Sequence, residues 1–137
     1  MEAIEVKREC YVGVEFDGVC VTKNYPNVGE DVGADLWLRA ASKGMGAKLI
    51  LLTMRSGEKL GEALDWFENH QVELWDVNQN PTQEEWTDSP MPYAHIYVLA
   101  GSLAMPCKRH GARERWVVDW DQAGMILLRQ IAGKLNQ

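Results

Sequence analysis

The sequence has no uninterrupted apolar run that approaches the roughly 20 residues a membrane-spanning helix needs, although 46% of its 137 residues are apolar. Its first ten residues, MEAIEVKREC, contain no apolar core of a secretory signal. Its three cysteines, Cys10, Cys20 and Cys107, are an odd number at spacings that match no zinc motif. We therefore expect a soluble, cytoplasmic protein with no membrane partner, whose cysteines are free thiols.

Positive charge is also scarce. The chain has 14 lysines and arginines against 20 acidic residues, a formal net charge of -6, and no basic stretch interleaved with aromatic residues. This pattern argues against nucleic acid as a partner. The length and apolar content suffice for the core of one domain, and we predict a single domain over residues 1–137.

Segments typical of strands and helices alternate along the chain. Apolar and β-branched runs predict strands at 11–16, 47–53, 72–77, 95–100 and 116–118. Helical spacing of apolar residues predicts helices at 34–45, capped by Asp31, at 56–70 and at 121–135. The proline-bearing segment 78–92 is predicted as a loop with at most one helical turn, near 83–86. This alternation predicts an α/β fold, a Rossmann-like three-layer sandwich with a central, mainly parallel sheet and helices on both faces.

The stretch VGVEFDGVCVT, residues 12–22, contains the first candidate site. Its apolar strand ends at Glu15 and Asp17, which flank a phenylalanine, and continues into Gly18. A later predicted strand ends in LLT at Thr53. Ligands of parallel sheets bind beyond the carboxyl ends of the strands. These four residues are therefore candidates for one site.

The two strand ends resemble the first two motifs of the haloacid dehalogenase-like (HAD) phosphotransferases, and most of all their small, capless members, which carry DFDGT at the first strand. The likeness covers nearly the whole chain, through YPNVGEDV, LILLTMRSGEKLGEALDWFENHQVEL and VDWDQAGMILL. It implies a domain without a cap and the strand order 3-2-1-4-5.

The resemblance also implies roles for individual residues. In that family the first acid accepts the phosphoryl group and the second acts as general acid and base, which places Glu15, Asp17 and Thr53 in catalysis. The resemblance implies that Gly18 and Thr53 bind phosphate and that the Glu15 side chain and the Asp17 carbonyl bind Mg²⁺. Phosphoryl transfer needs such cations and donors because charge on the equatorial oxygens dominates its barrier.

The sequence departs from the family at several of these positions. Glu15 stands where the family has Asp, and its extra methylene moves the carboxylate by roughly 1.5 Å in a chemistry that needs reacting atoms about 3 to 3.5 Å apart. The segment AHIYVLAGSLAMP matches the family run ADxYIDDRxLGxP, but Leu99 and Ala100 replace its acidic pair. The upstream segment SPMPYA lacks the family lysine. Hydrocarbon side chains cannot bind a hard cation, so any Mg²⁺ would rest on Glu15 and one carbonyl.

Three functions remain open on these grounds. The first is a HAD-like domain of the phosphohydrolase type, impaired or inactive in catalysis, that acts as a pseudoenzyme in binding another protein or a second copy of itself. The second is an active Mg²⁺-dependent phosphohydrolase with Glu15 as nucleophile and Asp17 as general acid and base. The third is a module that binds a phosphorylated small molecule through Thr53 and amides near Gly18 without turnover. The missing acids favour the first and the third.

Other side chains have simpler interpretations. We predict that Asp119 and Asp121 are a strand-end acid and an N-cap of the last helix. The histidines have no metal-ligand spacing, although His95 replaces an acid of the family. The basic cluster after the fourth strand is expected to be a solvated loop, in preference to a substitute for the missing lysine; it comprises Lys108, Arg109, Arg113 and Arg115.

The six tryptophans are many for this length. Trp37 and Trp66 fit the apolar faces of predicted helices. The other candidates lie in polar surroundings and could together form an exposed apolar patch that binds another chain; these are Trp75, Trp86 and Trp116.

Overall fold

The computed structural model describes residues 8–136. Its parallel sheet has four strands in the order β3-β2-β1-β4. The strands are β1 (Tyr11–Glu15), β2 (Lys48–Leu52), β3 (Asp76–Val77) and β4 (Ile96–Val98), followed by an antiparallel hairpin of β5 (Cys107–His110) and β6 (Arg115–Val118). The α-helices are α1 (Ala34–Arg39), which continues as a π-helix (Ala40–Gly44), α2 (Gly57–Asn69) and α3 (Trp120–Leu135), and a 3₁₀ helix spans Pro81–Glu85. The predicted α/β fold with a mainly parallel sheet is confirmed.

The region after β4 differs from the prediction. The segment predicted as a fifth strand, 116–118, pairs with β5 instead of the sheet, and no strand of residues 8–136 lies on the outer edge of β4. Gly111 and Glu114 adopt positive φ values of 76° and 50°, which close a tight local turn. Pairing across so short a loop costs little chain entropy, and the hairpin is anchored to the main core through Val117 and Val118.

The two faces of the sheet are covered differently. Val12 and Val14 of β1 lie beside Leu49 and Leu51 of β2, and this face belongs to the large core that includes residues of all three α-helices. The opposite face carries Tyr11 and Ile50, which pack against Ala94 with Trp75 and Tyr97.

No α-helix covers that second face among residues 8–136, although the sequence predicted helices on both. Three prolines, at 81, 90 and 92, interrupt the segment between β3 and β4, and each lacks the amide donor that an α-helix needs. The segment forms the 3₁₀ helix at Pro81–Glu85 instead, close to the single helical turn predicted at 83–86.

The N-caps of α1 and α3 are a glycine and an aspartate. Gly33, at φ 85°, occupies the N-cap of α1, so the prediction of Asp31 at this position is wrong. Asp31 instead accepts a hydrogen bond of 2.6 Å from the Trp66 indole. At α3 the N-cap is Asp119, which accepts from the Asp121 amide at 3.1 Å.

Helices α1 and α3 approach each other closely where glycine allows it. The Trp37 indole lies over Gly124, and a Cβ atom at that glycine would come within 2.2 Å of the ring. The helices thereby support one face of the sheet. Because its strands are parallel, their carboxyl ends lie at a single edge.

Candidate functional site

Asp17 and Arg55 form an ion pair at this edge. The Nε and Nη2 atoms of Arg55 donate to Oδ2 and Oδ1 of Asp17, both at 2.8 Å. The Arg55 side chain is 1% exposed and that of Asp17 is 25% exposed. The hydrogen bonds that Arg55 donates to Asp17 raise the pKa of Arg55, and burial opposes this rise. The guanidinium therefore stays charged and holds both oxygens of the carboxylate.

Other contacts of Arg55 tie it to the loop after β1, besides a weaker pair of contacts with Lys59 and Glu62 of α2. Its Nη2 donates to the Asn27 carbonyl at 2.9 Å and its Nη1 donates to the Pro26 carbonyl at 3.3 Å. The guanidinium carbon lies 5.2 Å from the ring centres of both Phe16 and Tyr25. Arg55 therefore organises the loop as well as binding Asp17.

Glu15 has a structural partner at the end of β4. Its Oε1 accepts a hydrogen bond of 2.9 Å from the Ala100 amide. Ala100 is one of the two positions at which the resembled family has an acid. The chain therefore places a backbone donor beside Glu15, where that family has a second carboxylate.

Thr53 is engaged with its neighbours. Its Oγ1 accepts from the Arg55 amide at 3.0 Å, and its own amide donates to the Asn78 side chain at 2.9 Å. The Asn78 amide group donates back to the Thr53 carbonyl at 3.0 Å. Hydrogen bonds with Asn78 and Arg55 therefore hold the end of β2 in place.

Gly18 lies in a crowded turn at φ 88°. Its amide donates to the Val21 carbonyl at 2.7 Å, and a Cβ atom here would lie 2.9 Å from Cε of Lys23 and 3.0 Å from Cβ of Ala100. The Lys23 side chain thus crosses the turn towards the end of β4. It lines a cavity of about 360 Å³ with Ala100, Ser102, Met105, Cys107 and Trp116.

The residues present do not fit the magnesium ion that the resemblance implies. Within residues 8–136, no three His, Cys, Asp or Glu side chains come together as a metal site. Asp17 is already paired with Arg55, and Leu99 and Ala100 offer only hydrocarbon side chains. A site of one glutamate and one carbonyl is at the low end of the oxygen ligands that Mg²⁺ takes from proteins, and it lacks the acidic pair of the resembled family.

The structure therefore brings Glu15, Asp17, Gly18 and Thr53 to one edge of the sheet, as predicted. The sequence reasoning missed Arg55 and Lys23. Arg55 follows Thr53 by two residues in TMRS, and a cation so close after a strand end was the available signal.

The other predicted residues lie elsewhere. His95 is at the amino end of β4, where its Nδ1 accepts from the Tyr11 amide at 2.9 Å. Lys108 lies near Asp119 and Asp121, at 3.9 and 3.7 Å. Arg109 lies over the ring of Trp116.

The predicted tryptophan patch is only partly exposed. Trp86 and Trp116 are exposed, whereas Trp75 is half-buried against Tyr11. Trp86 contacts Tyr93 in the segment before β4. All three cysteines are free thiols, as expected.

Comparison with known proteins supports the fold. A solved structure described as that of a conserved protein from Bacteroides thetaiotaomicron matches with a TM-score of 0.71 and 23% identity, over 89% of this chain and 92% of that chain. Its description names no activity. The sequence matches no protein-family profile and no curated protein. Among residues 8–136, no helix has both the length and the apolar character needed to cross a bilayer.

Proposed function

We propose that the chain is a HAD-like domain of the phosphohydrolase type that does not transfer phosphoryl groups and acts by binding. The single observation that carries this proposal is the pair of hydrogen bonds from buried Arg55 to Asp17. A general acid and base must exchange its proton with the reacting group, within hydrogen-bond reach of it. Asp17 uses both oxygens on a permanent cation, so it is poorly placed for that exchange.

The surroundings of Glu15 support the same proposal. Its longer side chain is bonded to the Ala100 amide, and neither Leu99 nor Ala100 can add a ligand for Mg²⁺. A nucleophile without a metal ion beside the phosphate would lose the charge neutralisation that such an ion supplies in phosphoryl transfer. The edge keeps the strand-end residues of the resembled site and lacks the acidic pair that would bind its metal ion.

Three exposed apolar side chains near the same edge favour a role in binding. Tyr25, Met54 and Leu103 are large apolar residues that follow the carboxyl ends of β1, β2 and β4, and all three are strongly exposed. Such side chains are enriched where proteins contact one another. Light scattering across a concentration series would detect a homodimer formed through them.

Hydrolysis of para-nitrophenyl phosphate with Mg²⁺ tests the proposal. We expect no turnover by the wild type above that of Asp17→Asn. Asp121→Asn is a matched control, because it removes an exposed acid outside the site. We also expect Glu15→Asp to remain inactive, since it restores the nucleophile without restoring the acids at Leu99 and Ala100. Turnover by the wild type that Asp17→Asn abolishes and Asp121→Asn preserves would establish the active phosphohydrolase instead.

A further inference from the structure

A second cavity, of about 380 Å³, lies between the loop after β1 and the turn of the β5–β6 hairpin. The loop contributes Thr22 and Asn24 to its wall, and the hairpin contributes His110, Arg113 and Arg115. Pockets for small molecules have volumes of roughly 300 to 1,000 Å³. The cavity beside Gly18 is lined by other residues, so the two are separate.

Two arginines, Arg113 and Arg115, and one carboxylate, that of Glu30, line this cavity. The side chains of Arg113 and Arg115 make no hydrogen bond or ion pair with residues 8–136. Of the lining residues, Glu30 carries a carboxylate, but its side chain is 70% exposed and lies 3.9 Å from Nε2 of His110. In a chain of net charge -6, two neighbouring arginines without an ion pair among residues 8–136 outnumber the single lining carboxylate and create a local attraction for anions.

The wall formed by the loop is fixed in place. The Thr22 amide donates to the Glu30 carbonyl at 2.9 Å, and the Glu30 amide donates to Thr22 Oγ1 at 3.0 Å. Gly29 fits between them, because a Cβ atom there would lie 2.1 Å from the Thr22 carbonyl oxygen. Inside the loop, Arg55 holds the carbonyls of Pro26 and Asn27. A wall ordered in advance lowers the entropy cost of binding.

We propose that this cavity binds a small molecule through a phosphoryl group, with Arg113 and Arg115 donating to its oxygens. Guanidinium groups match such oxygens because their N–H donors form a planar fork. Asn24 adds a neutral hydrogen-bonding side chain on the opposite wall, and His110 adds a ring N–H donor. This site goes beyond the proposed function, since it requires no chemistry at Asp17.

Titration with inorganic phosphate and with pyrophosphate tests the site. Calorimetry measures the binding, and backbone amide NMR shows which residues it affects. We expect saturable binding, with shifts confined to the loop at 22–30 and the hairpin turn at 110–115. The double variant Arg113→Gln/Arg115→Gln should weaken binding by about tenfold or more, because it removes charge-assisted hydrogen bonds. Arg109→Gln is the matched control, since Arg109 belongs to the same hairpin but lies over Trp116 and does not line the cavity.

Three results would overturn the site. They are the absence of saturable binding of either probe, an equal loss of affinity in Arg109→Gln and the double variant, and amide shifts centred on Gly18 and Thr53. Circular dichroism of each variant shows whether it remains folded. A second variant, Arg113→Lys/Arg115→Lys, keeps the charges without the planar fork and should retain part of the affinity.

Discussion

Arg55 donates two hydrogen bonds to Asp17 while its own side chain is almost fully buried. The pair joins the end of β1 to the residue that follows β2 by three positions. It also supports the loop that passes over both strands, through the carbonyls of Pro26 and Asn27. The acid that resembles a catalytic group therefore has a structural role in this chain.

Arg55→Ala should lower the free energy of unfolding by about 2 to 3 kcal/mol. Removal of one member of a buried pair costs about 3 to 5 kcal/mol, and Asp17 regains part of this because it reaches solvent. Arg55→Lys should lose less, since it keeps the charge but cannot form the two parallel bonds. Chemical denaturation of the wild type, Arg55→Ala and Arg55→Lys measures the free energy of unfolding of each. Arg129→Ala removes an exposed arginine and is the control; equal stability of Arg55→Ala and this control would refute the structural role.

His70 should stabilise the fold most at low pH. Its Nδ1 lies 2.8 Å from the Trp66 carbonyl and its Nε2 lies 3.0 Å from Asp31. Both partners accept hydrogen bonds, so the imidazole satisfies both only when it carries two protons. Burial alone would lower the pKa of His70, but these hydrogen bonds and the charges of Asp31 and Asp35 raise it above its ordinary value.

The sign of the pH effect follows from that raised pKa. The contribution of His70 is fully present below about pH 6.5, its value in an unfolded chain, and is lost as the pH rises through the higher pKa of the folded state. The charged groups around it are Asp31, Asp35 and Arg39, which donates to the His70 carbonyl. Denaturation from pH 5 to 8 should show this loss in the wild type and not in His70→Gln. An NMR titration that gives His70 a pKa below 6.5 would contradict the assignment.

His95 should behave in the opposite way. Burial, and secondarily the charge of Lys134, lower the pKa of this histidine. Its Nδ1 accepts from the Tyr11 amide, which requires that nitrogen to be unprotonated. Stability from His95 is therefore present above about pH 6.5 and is lost as the pH falls towards its lower folded pKa. The same NMR titration should place its midpoint below that of His70, and the reverse order would be inconsistent with these contacts.

Gly124→Ala should destabilise the fold although alanine favours helices. The added methyl group would lie 2.2 Å from the Trp37 ring, and overpacking of this kind costs about 1 to 3 kcal/mol. Gly133→Ala in the same helix meets no atom within 4 Å and should stabilise by up to about 1 kcal/mol. Thermal denaturation of the pair separates packing from helix propensity; a stabilised Gly124→Ala would show that Trp37 is free to move.

Much of the sheet could be predicted from local pattern. The runs YVGVE and KLILL are short, apolar and β-branched or leucine-rich, and both form strands close to their expected bounds. The hairpin strand at Cys107–His110 was missed because CKRH has no apolar alternation and depends on its partner β6. Asp31 was misplaced as a cap because its partners, Trp66 in α2 and His70 at the end of that helix, are distant in sequence.

The location of the candidate site could also be predicted, because it depends on where the strands end. Glu15 ends β1, and Asp17 and Thr53 closely follow the ends of β1 and β2, so their common edge follows from parallel topology. The partners that change their chemistry come from distant positions or from the backbone. Arg55 is 38 residues from Asp17 and the Ala100 amide is 85 residues from Glu15. The position of Arg55 just after a strand end indicates a cation at this edge but not its partner, and no local pattern indicates the Ala100 contact.

A crystal structure grown with Mg²⁺ and beryllium fluoride, a mimic of a phosphoryl group, tests the central claim most directly. We predict that Arg55 retains both hydrogen bonds to Asp17 and that no cation binds beside Glu15. An octahedral Mg²⁺ on the Glu15 carboxylate and the Asp17 carbonyl, with the Asp17 side chain released from Arg55, would contradict the account.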